Sequence, residues 1–225
     1  MNRAEEDYIR TIYELTVEKD QALIRTNDLV ERFGFREQTV NEMVKRLENK
    51  GLIVFYPYRG LGLTAEGRKV AIRMIRAHRI WEVFLTKELG FSWEAVHEDA
   101  EKLEHATSPE VLERLYTFLG KPAYCQHGNP IPDGKGRSES VTNTSLSSLK
   151  KGEVFVLKRV LDFKDLLVYL NEQRIGLGDV MTVVEKDSFN GLLRVRTKDG
   201  EMIMSLKTAG MLFGLKDEKA ERESK

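Results

Sequence analysis

A single cysteine among 225 residues excludes an intrachain disulfide and suits a reducing compartment. No apolar run reaches membrane-spanning length and no secretory leader is recognisable, so a cytoplasmic protein with no membrane partner is expected. Charge of one sign is missing too, since 36 Lys and Arg balance 36 Asp and Glu, and net charge alone does not point to nucleic acid. Any such footprint must come from local placement of Arg and Lys, doubled if the chain dimerises. Nucleophile-base pairs and phosphate-cradling loops are lacking, and a metal-using enzyme would further need a substrate cleft and an open coordination position. The expectation is a protein that is not an enzyme. Histidine is scarce as well, four in all, yet every one lies between residues 78 and 127 with the lone cysteine. That window is also the acidic one: 77–127 holds 5 basic against 9 acidic residues (−4), whereas 1–76 holds 14 against 12 (+2) and 128–225 holds 17 against 15 (+2).

With 41% hydrophobic residues the chain is long enough for two modest domains and a third small one. Helical spacing of Ile9, Ile12, Tyr13 and Leu15 predicts an amphipathic helix over 4–18. A short helix over 26–33 begins at the capping residue Thr26 and stops at Gly34, and a second follows over 36–50 with Val40, Met43, Val44 and Leu47 facing inward. A strand over 52–56, a turn over 57–60, a short returning strand over 61–64 and a helix capped by Thr64 complete a winged helix-turn-helix. Helical pattern continues over 65–89, 93–105 and 109–119, with more large apolar groups than such short helices need. A homodimer interface is the economical explanation, intrachain burial the alternative. Strands over 152–157, 180–185, 192–197 and 202–206 describe a small β-barrel. The fold is thus expected to be α+β, with a winged helix-turn-helix DNA-binding domain at 1–70, a helical metal-binding and dimerisation domain at 71–128, a linker at 129–147, the barrel at 148–216 and a charged, disordered tail at 217–225.

On the second helix of the helix-turn-helix, Arg36, Gln38, Thr39 and Asn41 are the candidates for base edges and phosphates of duplex DNA. Lys45, Arg46 and the wing residues Tyr58 and Arg59 are the candidates for the backbone, with Arg25 and Thr26 at the start of the preceding helix. The same fold also serves protein contacts, and the wing with its Arg59 favours DNA.

Residues four apart share a helix face. His78 with Glu82, and His97 with Glu101, Glu104 and His105, therefore form two ligand-bearing stripes that could meet between packed helices, joined by Cys125 and His127. The run from His97 to Glu101 begins like a zinc protease signature, but Glu101 stands where the second histidine belongs, which rejects that class. Carboxylates and imidazoles with at most one sulfur favour Mn²⁺ or Fe²⁺ over a thiolate-rich zinc site, and Cys125 keeps Zn²⁺ open. Cys125 could instead be a small buried apolar residue. A metal site joined to a DNA reader suggests a metal-controlled regulator. A winged-helix regulator answering to a small organic effector, and a barrel acting as a protein-interaction module, are the other readings.

Taken together, Glu6-Asp-Tyr-Ile9 with Ile12-Tyr13, Lys45-Arg46-Leu47, Gly51-Leu52, Arg59 to Thr64, Arg76-Ala-His-Arg79, Glu82-Val-Phe-Leu85, Glu101 to His105, Cys125 to Gly128 and Gly176-Leu-Gly178-Asp179 resemble the diphtheria toxin repressor family, in its manganese-responsive branch with a C-terminal SH3-like (FeoA-like) domain. The resemblance spans residues 4 to about 215. It implies a homodimeric repressor of metal-uptake genes on a palindromic operator, with metal as the corepressor that orders the dimer. It further implies a regulatory site of Asp7, Glu101, Glu104 and His105, a second site of His78, Glu82 and His97, with Cys125 and His127 joining either, and two oxygen ligands from the barrel matched to Asp162 and Asp165. Some relatives carry sulfur where Asp7 or Glu101 stands, and its loss shifts preference from iron toward manganese. Arg10 replaces a glutamate that bridges two ions in short manganese regulators, which argues against a closely spaced binuclear site.

Overall fold

Apolar residues three and four apart give the first helix one greasy face. The computed structural model, which describes residues 1–18, 21–134, 136–137 and 144–216, shows where each such face goes. In α1 (Arg3–Glu18), Tyr8, Ile9, Ile12 and Leu15 pack onto α2 (Thr26–Phe33) and α3 (Glu37–Asn49) around Leu29, Val40, Val44 and Leu47. Thr26 is not the cap of α2. Arg25 occupies that position, with its N–H donated to the Asp28 carboxylate at 2.7 Å, because a carboxylate three residues on satisfies the free amide better than a hydroxyl already inside the helix. Gly34 takes the left-handed conformation (φ 66°) that lets the chain turn into α3. The wing is an antiparallel pair, β1 (Ile53–Tyr56) and β2 (Gly60–Leu63), with Ile53 opposite Leu63. Thr64 caps α4 (Ala65–Lys87) by accepting from the Gly67 N–H at 3.0 Å.

Helix α4 runs from the wing through the middle of the molecule and packs against α1 and α5 (Val96–Ala106), with α6 (Pro109–Phe118) beside it. The fifth helix starts at Val96 rather than at 93. Trp93 packs instead on the C-terminal core, and its carbonyl accepts from His127 Nε2 at 2.9 Å. The start of the expected linker is packed as well, with residues 129–132 buried and Ile131 donating to the Ala123 carbonyl. Residues 135 and 138–143 of that stretch, and the charged tail at 217–225, lie outside the described residues.

The C-terminal domain is a five-stranded antiparallel sheet in the order β6-β5-β4-β3-β7, formed by β3 (Val154–Val160), β4 (Val180–Asp187), β5 (Leu192–Thr197), β6 (Gly200–Ser205) and β7 (Leu212–Lys216). Helices α7 (Lys164–Glu172) and α8 (Leu206–Ala209) connect strands, and Leu166, Leu167 and Leu170 of α7 cover a core of Phe155, Leu157, Met181, Val183, Leu193 and Val195. The C-terminal domain closes on the helical one at the turn of residues 125–129. Gly128 (φ 76°) has no room for a side chain, since a Cβ there would lie 2.0 Å from the Lys158 carbonyl oxygen. That close approach lets the Val160 N–H reach the His127 carbonyl at 3.0 Å and seats His127 against the end of β3.

Candidate metal centre

The helical period of α4 sets His78 above Glu82, and their side chains meet at 3.1 Å (Nε2 to Oε1). His97 comes from α5, Cys125 and His127 from the turn, and Asp162 from the segment following β3. Asp162 Oδ2 lies 2.8 Å from His78 Nε2, and its Oδ1 lies 3.0 Å from His97 Nδ1 and 3.7 Å from His127 Nδ1. Glu82 Oε1 is 3.0 Å from His127 Nδ1. Two overlapping groups result, His78–Glu82–His97–Asp162 and Glu82–Cys125–His127, with each group's ligand atoms within 4.8 Å of one another.

Proximity here is not hydrogen bonding. Both Glu82 oxygens, Asp162 Oδ1, His97 Nδ1 and His127 Nδ1 are buried without a hydrogen-bond partner, although several lie about 3 Å apart. Such atoms face a common space rather than each other. Ligands at right angles around a divalent ion at roughly 2.1 Å are about 3.0 Å apart, which is the spacing found. His127 Nε2–H is committed to the Trp93 carbonyl, which leaves Nδ1 as the nitrogen that would offer a lone pair to a cation on losing its proton. The donor set therefore fits a divalent cation.

Electrostatics agree. Burial opposes protonation of His78 and His127, but Glu82 acts against it on both, helped by Glu104 on His78 and by Asp162 on His127, and both imidazoles are held well above the usual histidine range. Burial and Asp162 oppose ionisation of Glu82, and His127 with His78 overcomes them, bringing it to about 2. Burial, reinforced by Glu82, pushes the Cys125 thiol up. The carboxylates thus favour positive charge on His78 and His127, a charge that a bound cation would replace.

A second cluster joins the start of α1 to the end of α5. Asp7 Oδ1 lies 2.9 Å and Glu104 Oε1 3.6 Å from His105 Nε2, while His105 Nδ1 is 2.7 Å from Glu6 Oε2. Glu6 orients the imidazole so that Nε2 faces Asp7 and Glu104. Sequence reasoning did not single out Glu6 as a functional residue, though the acidic run Glu5-Glu6-Asp7 was its signal. Between the clusters stands the buried Arg10, whose guanidinium donates to Glu104 Oε2 at 3.1 Å and to Glu101 Oε1 at 3.2 Å. Glu104 Oε2 also accepts from His78 Nδ1 at 2.6 Å, so one carboxylate touches both clusters.

Residues 1–61 match the family described as iron dependent repressor, N-terminal DNA binding domain. Residues 64–133 match its metal binding and dimerisation domain, and 144–214 match the FeoA domain. The diphtheria toxin repressor of Corynebacterium diphtheriae is 32% identical over 217 residues, covering 89% of this chain and 92% of that protein. The chain belongs to the iron-dependent repressor family. The iron-dependent repressor IdeR of Mycobacterium leprae is 38% identical over 148 residues, a match that spans 64% of each protein and so a little under two thirds of that relative. Among solved structures, the manganese regulator SloR superposes with a TM-score of 0.85 at 32% identity, covering 96% of this chain and 100% of that one.

Two of the expected ligands stand apart from the groups described. Glu101 is turned to Arg10 and, at 3.9 Å, to Arg3 rather than to His105. Asp165 is exposed in the first turn of α7, because the helix begins at Lys164 and carries it away from Asp162. On the expected DNA face, Arg25, Arg36, Gln38, Thr39, Lys45, Arg46, Tyr58 and Arg59 are exposed, and Thr26 and Asn41 are half-buried. Gln38 donates to Glu42 at 3.0 Å, and the Arg59 guanidinium sits 5.7 Å from the Tyr56 ring centroid. Tyr58 stands fully exposed at the wing tip, with φ 63°.

Proposed function

We propose that this protein is a manganese-responsive repressor of metal-uptake genes, acting in the cytoplasm as a homodimer on a palindromic operator. The observation that carries the proposal is the set of buried, unbonded ligand atoms of Glu82, Asp162, His97 and His127 converging at metal-ligand spacing. Burying these carboxylates and imidazoles without a cation is costly, by several kcal/mol per uncompensated charge. A bound divalent ion would supply the positive charge that lets carboxylates and imidazoles from separate elements share one space. His78, Glu82, His97, His127 and Asp162, with Cys125 adjacent, would hold one ion. Asp7, Glu104 and His105 would hold the other, and in doing so fix α1, and the reading head built on it, to α5. Nitrogen and oxygen donors suit Mn²⁺ or Fe²⁺, and the Cys125 sulfur accommodates Zn²⁺. SloR, similar over nearly the whole chain, is described as a manganese regulator.

Exposed Leu89, Val111, Phe118 and Tyr124 on the helical domain offer an apolar surface for a second copy. Two heads related by a dyad would read successive major grooves about 34 Å apart. Arg36, Gln38, Thr39 and Asn41 face base edges and phosphates on this reading, while Arg25, Thr26, Lys45, Arg46, Tyr58 and Arg59 face the backbone. An organic effector is less well served. The clefts beside the two clusters, of about 220 and 160 Å³, fall short of the roughly 300–1,000 Å³ usual for such ligands. The test is selection of genomic fragments by the purified protein with manganese, with ferrous iron and with chelator. Enrichment of a palindrome only with metal is expected. Equal enrichment with chelator would overturn the corepressor role.

A further inference from the structure

We infer that Glu5, through Lys50, is the positioning residue that carries ligation at Asp7 from the start of α1 to the reading helix α3. The inference rests on the metal-dependent function proposed above. Three consecutive carboxylates near the start of α1 reach three elements. Asp7 meets His105 of α5, Glu6 meets His105 and accepts from Arg73 of α4 at 3.0 Å, and both oxygens of Glu5 accept from the Lys50 ammonium at 2.8 Å. Lys50 is the C-cap of α3. Glu5 is 2% exposed, so its carboxylate depends on this partner, and it is locked further by the Asn2 N–H at 3.1 Å.

Ahead of Asp7 the turn hangs on Asn2 alone, whose side-chain oxygen accepts from the Glu5 N–H at 3.0 Å and whose carbonyl accepts from the Glu6 N–H at 3.2 Å, so that end of the helix moves more readily than the rest. Asp7 also precedes Tyr8, the first residue of α1 in the N-terminal core. A pull on Asp7 could therefore be absorbed by the turn and never reach the reading head. Fastening Glu5 to the end of α3 closes that escape. Capping alone does not require the pair, since a lysine at a helix C-terminus favours the helix dipole equally well from solvent.

Hydrogen exchange of the full-length protein, with and without manganese chloride, tests the link, with manganese uptake followed by calorimetry. In the wild type, manganese should slow exchange at residues 45–50 together with α5. Lys50→Met should take up manganese with unchanged stoichiometry but lose about fivefold or more of that slowing at 45–50. Glu5→Gln should match it, and Lys50→Arg should restore the wild-type pattern. Wild-type slowing in manganese-loaded Lys50→Met overturns the link alone. A Lys50→Met that takes up no manganese overturns it too, by making the pair part of the ligand site. A wild type that takes up no manganese overturns the proposed function and the link with it.

Discussion

The His78–Glu82–His97–Asp162 cluster is walled in between α4, α5 and the C-terminal domain, whereas Asp7, Glu104 and His105 meet where α1 of the N-terminal domain touches α5. Their residue types are alike, but their fates without a cation differ. In the walled cluster both Glu82 oxygens, Asp162 Oδ1, His97 Nδ1 and His127 Nδ1 have no hydrogen bond, while in the α1 cluster only Glu104 Oε1 is left so. Asp7 and His105 are already satisfied by each other and by Glu6. A cation in the first place fills a deficit, and in the second it replaces bonds the protein already makes. The first arrangement suits an anchor that holds the domains together, the second a reversible switch.

Glu104 belongs to both, which makes it the most damaging place to cut. Glu104→Ala would leave Arg10 buried without its 3.1 Å partner and His78 Nδ1 without its acceptor, at a cost of about 3–5 kcal/mol in denaturant unfolding with chelator present. A loss below about 1 kcal/mol would show that the clusters are energetically separate. Next in size is the stabilisation by manganese itself, about 2.7 kcal/mol per site at a hundredfold excess over Kd. Asp162→Ala should lose the walled site's share and keep a metal response in DNA binding. Asp7→Ala should remain a folded dimer, keep that share, and lose most of its metal-dependent DNA binding. If Asp7→Ala responds to manganese like the wild type, α1 is not the switch.

Protonation gives the walled cluster a pH window. His78 and His127 are held above their usual range, so in the metal-free protein they contribute stability that is full below about pH 6.5 and is lost as pH rises through their raised values. Glu82, brought to about 2, and Asp162, also lowered, contribute stability present above about pH 4.5 and lost as pH falls through their depressed values. Metal-free stability should therefore peak between roughly pH 4.5 and 6.5. Above that range it should fall by up to about 1.4 kcal/mol per pH unit for each proton lost. Manganese must displace those protons, so a weakly buffered titration at pH 7 should acidify. A titration without acidification would mean that the walled histidines are neutral.

Periodicity made the N-terminal half of this architecture readable. The α2–turn–α3 unit, the wing and the α4 cap all follow from glycine placement and spacing in sequence, and i,i+4 spacing alone paired His78 with Glu82. The C-terminal domain was less open. Four of its strands alternate visibly, but β7, with its Gly214, and α7, short and leucine-rich, carry no period long enough to separate them from loop. Asp162 was reachable only by resemblance, because nothing local says that the segment after β3 folds back onto α4. The same gap let Asp165 be expected as a ligand and hid the capture of Glu101 by Arg10, an interaction across 91 residues.

Glu6 offers the finest cut between the two clusters. Its carboxylate touches His105 Nδ1 but belongs to neither candidate ligand group, so Glu6→Gln leaves every proposed ligand in place. The amide oxygen can still accept from Nδ1–H, but the negative charge that makes Nε2 a better donor is gone. Loss of such a supporting carboxylate typically weakens metal binding by about tenfold or more. That weakening should appear at the α1 site alone, as a rightward shift of the manganese concentration needed for DNA binding, while the stabilisation arising from the walled site stays at its wild-type value. Equal weakening at both sites would mean that the Glu104 carboxylate couples them so tightly that anchor and switch are one site.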